Sequence, residues 1–205
     1  MSTTLPLRGL YAISNGPRAD LLAACAAALR GGAVLLQYRD KTGDRVRRAA
    51  EARALAALCR EFGVPLVVND DVALAADVGA GVHLGEHDAD IATARQRLGA
   101  AAIIGASCYD SLERARDAAA AGADYLAFGA FQPSPTKPHA RRATPELLRA
   151  ARTLGRPLVA IGGITVDNAA AVIAAGADLV AVVSGVFGAA DVEGAARRYA
   201  DLFTK

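Results

Sequence analysis

The sequence predicts a closed barrel of eight parallel strands, each followed by a helix, in one domain spanning residues 1–205. Short apolar runs alternate with longer, alanine-rich stretches of helical character. One helix-end motif occurs twice along the chain. No Gly-x-Gly-x-x-Gly turn follows the first apolar run, where a dinucleotide-binding open sheet would carry it. A doubly wound sheet is the alternative, and eight repeated units favour the barrel.

The predicted strands are apolar runs of strand length, most of them followed by glycine or polar residues. In chain order they are Leu10–Ser14, Val34–Arg39, Leu66–Asn69, Gly81–Leu84, Ile103–Ala106, Tyr125–Gly129, Leu158–Ile161 and Leu179–Val183. Alanine-rich segments between them favour helices, because alanine has the highest helix propensity. These segments are Asp20–Leu29, Arg45–Phe62, Ala89–Leu98, Ser111–Ala120, Pro145–Leu154, Val166–Ala174 and Asp191–Phe203.

The repeated motif marks where a helix stops and a strand starts. AAGADYLAFGAF at Ala120–Phe131 is matched by AAGADLVAVVSGVF at Ala174–Phe187. Glycine just after a helix adopts the left-handed cap without steric cost. A repeated strand–helix unit of this kind is typical of α/β proteins with parallel strands.

Composition excludes several classes of protein. A chain of 205 residues with 53% hydrophobic content can bury one sizeable core. No apolar run approaches the ~20 residues of a membrane span, and the first residues lack a secretion-signal pattern. Three scattered cysteines suit neither a disulfide framework nor a CxxC metal site, so we expect a cytoplasmic protein. A net charge of +2 gives little reason to expect nucleic-acid binding.

Polar residues follow the strands, at the end where such barrels hold their active sites. In VLLQYRDK, strand alternation points Gln37, Arg39 and Lys41 to one face, and Tyr38 and Asp40 to the other. An amide, a guanidinium and an ammonium together suit a multiply charged anion such as diphosphate. A solvated strand end explains this stretch equally well when it is considered alone.

Carboxylates follow the third and fourth strands. Asn69, Asp70 and Asp71 end the third run, and Asp88 follows the fourth. One of them can cap a helix, but two adjacent carboxylates exceed what one cap requires. Magnesium is typically held by one or two protein carboxylates plus phosphate oxygens and water. Asp70 and Asp88 are therefore the predicted Mg²⁺ ligands, whereas His83 is interpreted as a packed strand residue.

The fifth strand ends in Ser107 and Cys108, without a His–Asp arrangement that would activate a nucleophile. Ser107 either donates to a ligand or starts the next helix. After the sixth strand, the proline-stiffened PSPTK loop offers Ser134, Thr136 and Lys137. A solubilising surface turn is the alternative to a phosphate grip.

Glycine and serine follow the last two strands, where this fold usually binds phosphate. Gly162 and Gly163 let a ligand approach backbone amides, and Ser184 and Gly185 follow strand eight. The strand ends therefore predict two anion sites. One holds metal-bound diphosphate, the other a monophosphate, and Lys137 lies between them.

The series QYRDK, VNDD, GVHLGEHD, IIGASC, PSPTK, AIGGIT and VVS, in this order, resembles the thiamine phosphate synthase family over nearly the whole chain. The resemblance implies a TIM barrel that joins an aminomethylpyrimidine diphosphate to hydroxyethylthiazole phosphate, with Mg²⁺ and release of diphosphate. It implies that the pyrimidine diphosphate is bound by Gln37, Arg39, Lys41, Asn69, Ser107 and Lys137. Lys137 and Ser107 are also the catalytic residues it implies.

The same resemblance implies that Ser134, Thr136, Gly163, Val183 and Ser184 bind the thiazole phosphate, and that Asp70 and Asp88 bind magnesium. This chain departs from the family pattern at Ala80-Gly81, where Asp-Gly is common and the turn is longer by one residue.

Two other functions remain open from sequence. A thiazole tautomerase of the same superfamily needs the phosphate site but no metal-bound diphosphate, and the apparently complete diphosphate set favours the synthase. A non-catalytic phosphate-ligand sensor is a third hypothesis, weakened by the lack of any appended domain. The alanine-rich helix faces are compatible with a homodimer and equally with an ordinary barrel exterior.

Overall fold

The computed structural model describes residues 8–132 and 141–204 and confirms the predicted barrel. Its strands close in chain order, β1 against β2 and so on to β8 against β1, and every pair is parallel. The strands are β1 Gly9–Ile13, β2 Ala33–Tyr38, β3 Leu66–Asn69, β4 Gly81–Leu84, β5 Ile104–Tyr109, β6 Tyr125–Phe128, β7 Leu158–Ile161 and β8 Leu179–Val182.

Helices follow the strands and cover the outside of the barrel. They are α1 Leu21–Arg30, α2 Arg45–Phe62, α3 Val72–Val78, α4 Ile91–Leu98, α5 Leu112–Ala120, α6 Pro145–Ala151, α7 Val166–Ala174, α8 Ser184–Phe187 and α9 Val192–Ala200. Short 3₁₀ turns at Arg152–Leu154 and Asp201–Phe203 extend α6 and α9, inside the segments predicted as single helices. Helices α3 and α8 were not predicted, because both are too short to show a helical period.

Strand alternation separates two packed layers. One set of side chains, including Tyr11, Leu35 and Tyr125, fills the barrel interior. The alternate set, including Leu36 and Phe128, packs under the helices. Each inward position at a strand's carboxyl end therefore lies at the mouth of the barrel.

The repeated Gly-Ala-Asp motif has the same structural role at both places. Gly122 and Gly176 have positive φ angles of 95° and 113° just after α5 and α7. The carboxylate of Asp124 accepts a hydrogen bond from the Ile104 backbone N–H at 2.7 Å, and Asp178 accepts one from the Leu158 N–H at 2.9 Å. Each aspartate thus fastens its helix end to the start of the neighbouring strand.

Throughout residues 8–132 and 141–204, each helix is too short or too polar to cross a membrane.

Candidate active site

A cavity of about 650 Å³ opens at the carboxyl ends of the strands. Most of the described residues that the sequence singles out line it: Gln37, Arg39, Lys41, Asn69, Asp70, Ser107, Gly163, Val183 and Ser184. They come from five different strand ends, and closure of the barrel is what brings them to one place.

Strand β2 supplies the cationic wall in the alternation that the sequence predicts. Gln37, Arg39 and Lys41 face the cavity. Tyr38 faces outward and donates a hydrogen bond to Glu51 of α2 at 2.7 Å. Asp40 is buried, with an ion pair to Arg47 at 2.7 Å. These outward anchors fix the strand end, so the inward cation and amide are held in place.

The two adjacent aspartates have separate tasks. Asp71 caps α3 by accepting from the Leu74 N–H at 2.9 Å, and it pairs with Arg48 at 3.0 Å. Asp70 has a φ of 64°, a left-handed conformation that is uncommon outside glycine. Its carboxylate takes no part in the cap and lines the mouth. The helix-cap interpretation is thus correct for Asp71 and leaves Asp70 available, as the sequence predicts.

Asp88 lies next to Asp70 at the rim of the cavity. The turn after β4 holds it, because the Gly85 N–H donates to its carboxylate at 2.7 Å. Burial raises the pKa of Asp70, and the hydrogen bond and negative charge of Asp88 raise it further, while Lys41 opposes them. Two neighbouring carboxylates, one of which raises the pKa of the other, have the oxygen chemistry that a divalent cation neutralises.

The carboxylate pair fits magnesium rather than an all-protein metal cage. Among the described residues, no three His, Cys, Asp or Glu side chains group together as metal ligands. Magnesium usually keeps waters and substrate phosphate oxygens in addition to one or two carboxylates. The donor set on the rim therefore suits a Mg²⁺ ion that arrives with a diphosphate.

Ser107 faces the cavity from an irregular part of β5. The register of β5 with β6 shifts between Ser107 and Tyr109, and Tyr109 has a φ of 53°. The Arg114 side chain donates to the Ser107 carbonyl oxygen at 2.8 Å and fixes this bend. The next helix is capped by Ser111 instead, which accepts from the Arg114 N–H at 3.1 Å. Ser107 is therefore a pocket residue and does not start the helix.

Cys108 points away from the pocket into the layer under the helices. Burial raises the pKa of its thiol to about 12, so the thiol stays protonated at neutral pH. The sequence-based expectation that Cys108 is not a nucleophile agrees with this placement.

Beneath the mouth lies a buried polar chain that sequence reasoning missed. Tyr11, Tyr125 and His83 project inward from β1, β6 and β4 and bond to one another and to Gln37 and Ser107. His83 is a packed strand residue, as predicted, but both of its ring nitrogens are used. Burial lowers the pKa of His83 to about 4, so the ring is neutral. Polar residues at inward positions of apolar strands were the signal in the sequence.

The wall of the cavity that faces the cationic wall of β2 contains Gly162 and Gly163 beside apolar residues such as Ile161, and we call it the glycine wall. Gly162 and Gly163 have φ angles of 95° and 66°. A Cβ added to them would come within 2.6 Å of Ala130 and of Gln132 respectively. The sequence suggested that these glycines let a ligand approach backbone amides, and in the structure the segment after β6 also approaches them closely. That segment continues the β7 edge, because the Gln132 N–H donates to the Gly162 carbonyl at 3.1 Å.

Ser134, Thr136 and Lys137 lie outside the described residues. The described residues on either side meet at the mouth. The Ala130 N–H donates to the Arg141 carbonyl at 2.8 Å, and the Ala143 N–H donates to the Ala130 carbonyl at 3.1 Å. The positions that flank the PSPTK sequence are therefore next to the glycine wall.

The departure at Ala80-Gly81 is remote from the metal pair. Gly79 ends α3 and Gly81 begins β4, whereas Asp88 follows the other end of that strand. The short turn therefore does not touch the part of the chain that holds Asp88.

Comparison with known proteins shows the family of this chain. A family model described as thiamine monophosphate synthase matches residues 10–186. The chain belongs to this family. A thiamine-phosphate synthase of Thioalkalivibrio sulfidiphilus is 59% identical over 202 residues, covering 96% of both chains. One from Xanthomonas campestris pv. campestris is 55% identical over 208 residues, covering 100% of both.

The solved structure of a thiamine phosphate pyrophosphorylase from Pyrococcus furiosus superposes with a TM-score of 0.86. It is 37% identical and covers 96% of this chain and 95% of its own. Membership of the thiamine monophosphate synthase family, the barrel fold and the assignment as a transferase, all expected from the sequence, are confirmed.

Proposed function

We propose that this chain, a member of the thiamine-phosphate synthase family, condenses a pyrimidine diphosphate with hydroxyethylthiazole phosphate and releases diphosphate. Full-length relatives at 55–59% identity bear the synthase name, which supports this function over an isomerase or a sensor. The observation that carries the proposal is the meeting of Arg39 and Lys41 with the Asp70–Asp88 pair at one mouth. A tautomerase acting on a monophosphate has no need of that cluster.

Magnesium is the proposed cofactor, and Asp70 and Asp88 are the proposed ligands. When bound there, Mg²⁺ supplies Lewis-acid stabilisation of the diphosphate leaving group. The chain's own contribution is to hold the two carboxylates beside each other, through the left-handed backbone at Asp70 and the Gly85 N–H at Asp88.

Arg39, Lys41 and Lys137 are proposed to bind the diphosphate side of the pyrimidine substrate, and Gln37, Asn69 and Ser107 are proposed to join them there. The reaction breaks the bond between the pyrimidine methylene carbon and the diphosphate oxygen, and the oxygen keeps the electron pair. Cationic groups preset around the diphosphate stabilise the negative charge as it develops. The electron-rich aminopyrimidine carries the positive charge at its methylene, and the thiazole nitrogen donates its electron pair to that carbon.

No protein nucleophile takes part in this scheme. Ser107 bonds to a neutral histidine, and the carboxylate that the triad arrangement would need next to that ring is replaced by the Tyr125 hydroxyl. The chain accelerates the reaction by charge stabilisation and by holding two reactants together.

The glycine wall is proposed to receive the thiazole phosphate. Gly163, Val183 and Ser184 line the cavity, and their backbone groups are proposed to bind the phosphate. Ser134 and Thr136 are proposed to add hydroxyl groups from the loop after β6. This arrangement places the phosphate at one edge and the diphosphate at the other, with the reacting atoms between them.

We further propose a cytoplasmic location and small-molecule partners only. All three cysteines are free and buried, which suits a reducing compartment. The homodimer stays a prediction that analytical ultracentrifugation would test.

The deciding experiment mixes both substrates with Mg²⁺ and follows thiamine phosphate and diphosphate by chromatography. We expect the two products in equal amounts, and loss of both in the presence of a chelator. Isomerisation of a thiazole phosphate without diphosphate release would establish the tautomerase instead. Binding without turnover of either kind would indicate a sensor.

A further inference from the structure

Five side chains form a continuous hydrogen-bonded chain across the floor of the cavity. The Gln37 Nε2 donates to Tyr11 Oη at 2.5 Å, and Tyr11 Oη lies 2.8 Å from Tyr125 Oη. Tyr125 Oη lies 2.9 Å from His83 Nδ1, and His83 Nε2 lies 2.9 Å from Ser107 Oγ. The chain thus joins Gln37 to Ser107, two of the residues proposed to hold the pyrimidine substrate, through three residues that have no proposed role.

One direction satisfies every bond of this hydrogen-bonded chain. An amide nitrogen can only donate, so Tyr11 Oη accepts from Gln37, and in this direction its own proton points towards Tyr125. Tyr125 in turn donates to His83 Nδ1. A neutral imidazole that accepts at Nδ1 carries its proton on Nε2. His83 Nε2 then donates to Ser107 Oγ, and the Ser107 proton is left to point elsewhere.

Burial makes this order difficult to disturb. Tyr11 and Tyr125 are 1% and 0% exposed, Gln37 2% and His83 8%, so water has little access to compete for the internal bonds. The rings of Tyr11 and Tyr125 meet edge to face, and His83 stacks on Tyr125. Gly105 makes room for the Tyr125 ring of the hydrogen-bonded chain, because a Cβ at Gly105 would lie 1.9 Å from that ring.

We infer that Tyr11, Tyr125 and His83 are positioning residues that fix Ser107 as a hydrogen-bond donor into the cavity. Ser107 Oγ accepts from His83, so its only proton is free for a ligand oxygen above the floor. The proposed function makes that oxygen part of the departing diphosphate side of the substrate, and this part of the inference rests on it. A preset donor of this kind stabilises charge that develops in the transition state more than charge already present in the bound substrate.

The tautomer of His83 tests the direction of the chain in the free protein. Histidine labelled with ¹⁵N gives signals from three residues, and the His83 signal is the one that disappears in His83→Gln. Long-range ¹H–¹⁵N correlation should show the proton on Nε2 and a bare Nδ1. A proton on Nδ1 would reverse the bonds from Tyr11 to Ser107, make Ser107 donate to His83, and overturn the inference.

A double-mutant cycle tests whether the hydrogen-bonded chain affects turnover through Ser107. Tyr125→Phe keeps the ring but removes the donor to His83, and we expect kcat to fall about tenfold, the scale of one hydrogen bond, with little change in KM. Thr153→Val is the control, because it removes a side-chain hydroxyl bond, to the Ala150 carbonyl at 3.0 Å, that lies outside the cavity. That variant should keep the kcat of the unmodified protein.

In a Ser107→Ala background, Tyr125→Phe should cause no further fall in kcat, because the group that it positions is gone. Two effects that simply multiply would assign Tyr125 a purely structural role and defeat the inference. Unchanged activity in Ser107→Ala would likewise defeat it. Failure of the proposed function is distinguishable, since the unmodified protein would then release no diphosphate while the His83 tautomer could still be measured.

Discussion

The two halves of the active-site mouth are built from different materials. The half formed by β2–β5 presents side chains with charge or hydrogen-bonding capacity, such as Arg39, Asp70 and Ser107. The half formed by β6–β8 presents glycines and apolar residues, such as Gly162, Gly163 and Val183. The first half relies on positioned functional groups, and the second relies on close packing at its two glycines.

This difference explains how each half depends on the rest of the fold. In the β2–β5 half, anchors outside the cavity hold the groups inside it, as the ion pair of Asp40 with Arg47 holds the end of β2. In the β6–β8 half, the segment after β6 packs directly on the two glycines. We therefore expect substitutions in the first half to affect chemistry before stability, and substitutions in the second to affect both.

The largest effect is expected from Asp70→Asn. The change keeps the size of the side chain but removes one of two carboxylates, and turnover should fall by roughly 10³-fold with loss of the Mg²⁺ response, because a metal ion stabilises the leaving group by several kcal/mol. Steady-state rates over a Mg²⁺ titration measure this.

Asp71→Asn is the control for that change, because asparagine still caps α3 and the pair with Arg48 is all that is weakened. Its Mg²⁺ response should match the unmodified protein. Full activity of Asp70→Asn in a chelator would remove Asp70 from the metal site.

Lys137→Ala would test whether each half of the mouth serves a different substrate. The lysine belongs to the loop after β6 but is predicted to serve the diphosphate. Loss of one preset charge-stabilising donor should lower kcat by about 10²–10³-fold. An effect confined to the KM for thiazole phosphate would assign Lys137 to the β6–β8 half instead.

The β2–β5 half should also carry a pH dependence of stability. His83 has a folded pKa of about 4, below its ordinary 6.5, so the unfolded chain binds more protons between these values. The free energy of unfolding is highest above pH 6.5, where His83 is neutral in both states. Roughly 3 kcal/mol of it is lost as the pH falls towards 4. Urea unfolding at pH 7 and pH 4.5 measures the difference.

His83→Gln should flatten this part of the pH profile. An equal profile for His83→Gln and the unmodified protein would show that His83 does not titrate on unfolding.

The smallest expected effect is on stability, and it tests the packing of the glycines in the β6–β8 half. Gly155 and Gly163 share a φ of 66°, but a Cβ at Gly155 meets nothing within 4 Å, whereas at Gly163 it meets Gln132 at 2.6 Å. Gly155→Ala should cost about 1 kcal/mol of unfolding free energy from the left-handed backbone alone. Gly163→Ala should cost roughly 1–3 kcal/mol more through overpacking.

Gly163→Ala should also raise the KM for thiazole phosphate more than that for the pyrimidine diphosphate. Equal losses of stability in the two alanine variants would mean that the segment after β6 moves aside freely.

Much of the first half was predictable from the sequence, because strand alternation assigns faces to Gln37, Arg39 and Lys41 without knowledge of any partner. The division of labour between Asp70 and Asp71 was not, since both suit a helix cap and only the backbone angle at Asp70 separates them. The floor was missed as well. His83 and Tyr125 are distant in sequence, and nothing local shows that they share a hydrogen bond.

By itself, the sequence determined the barrel, its eight strands, the family and the polar residues at the strand ends, because these follow from local periodicity and motif order. Tertiary structure alone decided which wall the glycines serve, which aspartate faces the mouth, and how Gln37 connects to Ser107. Those contacts join residues from different strands, and their distances exist only once the sheet has closed on itself.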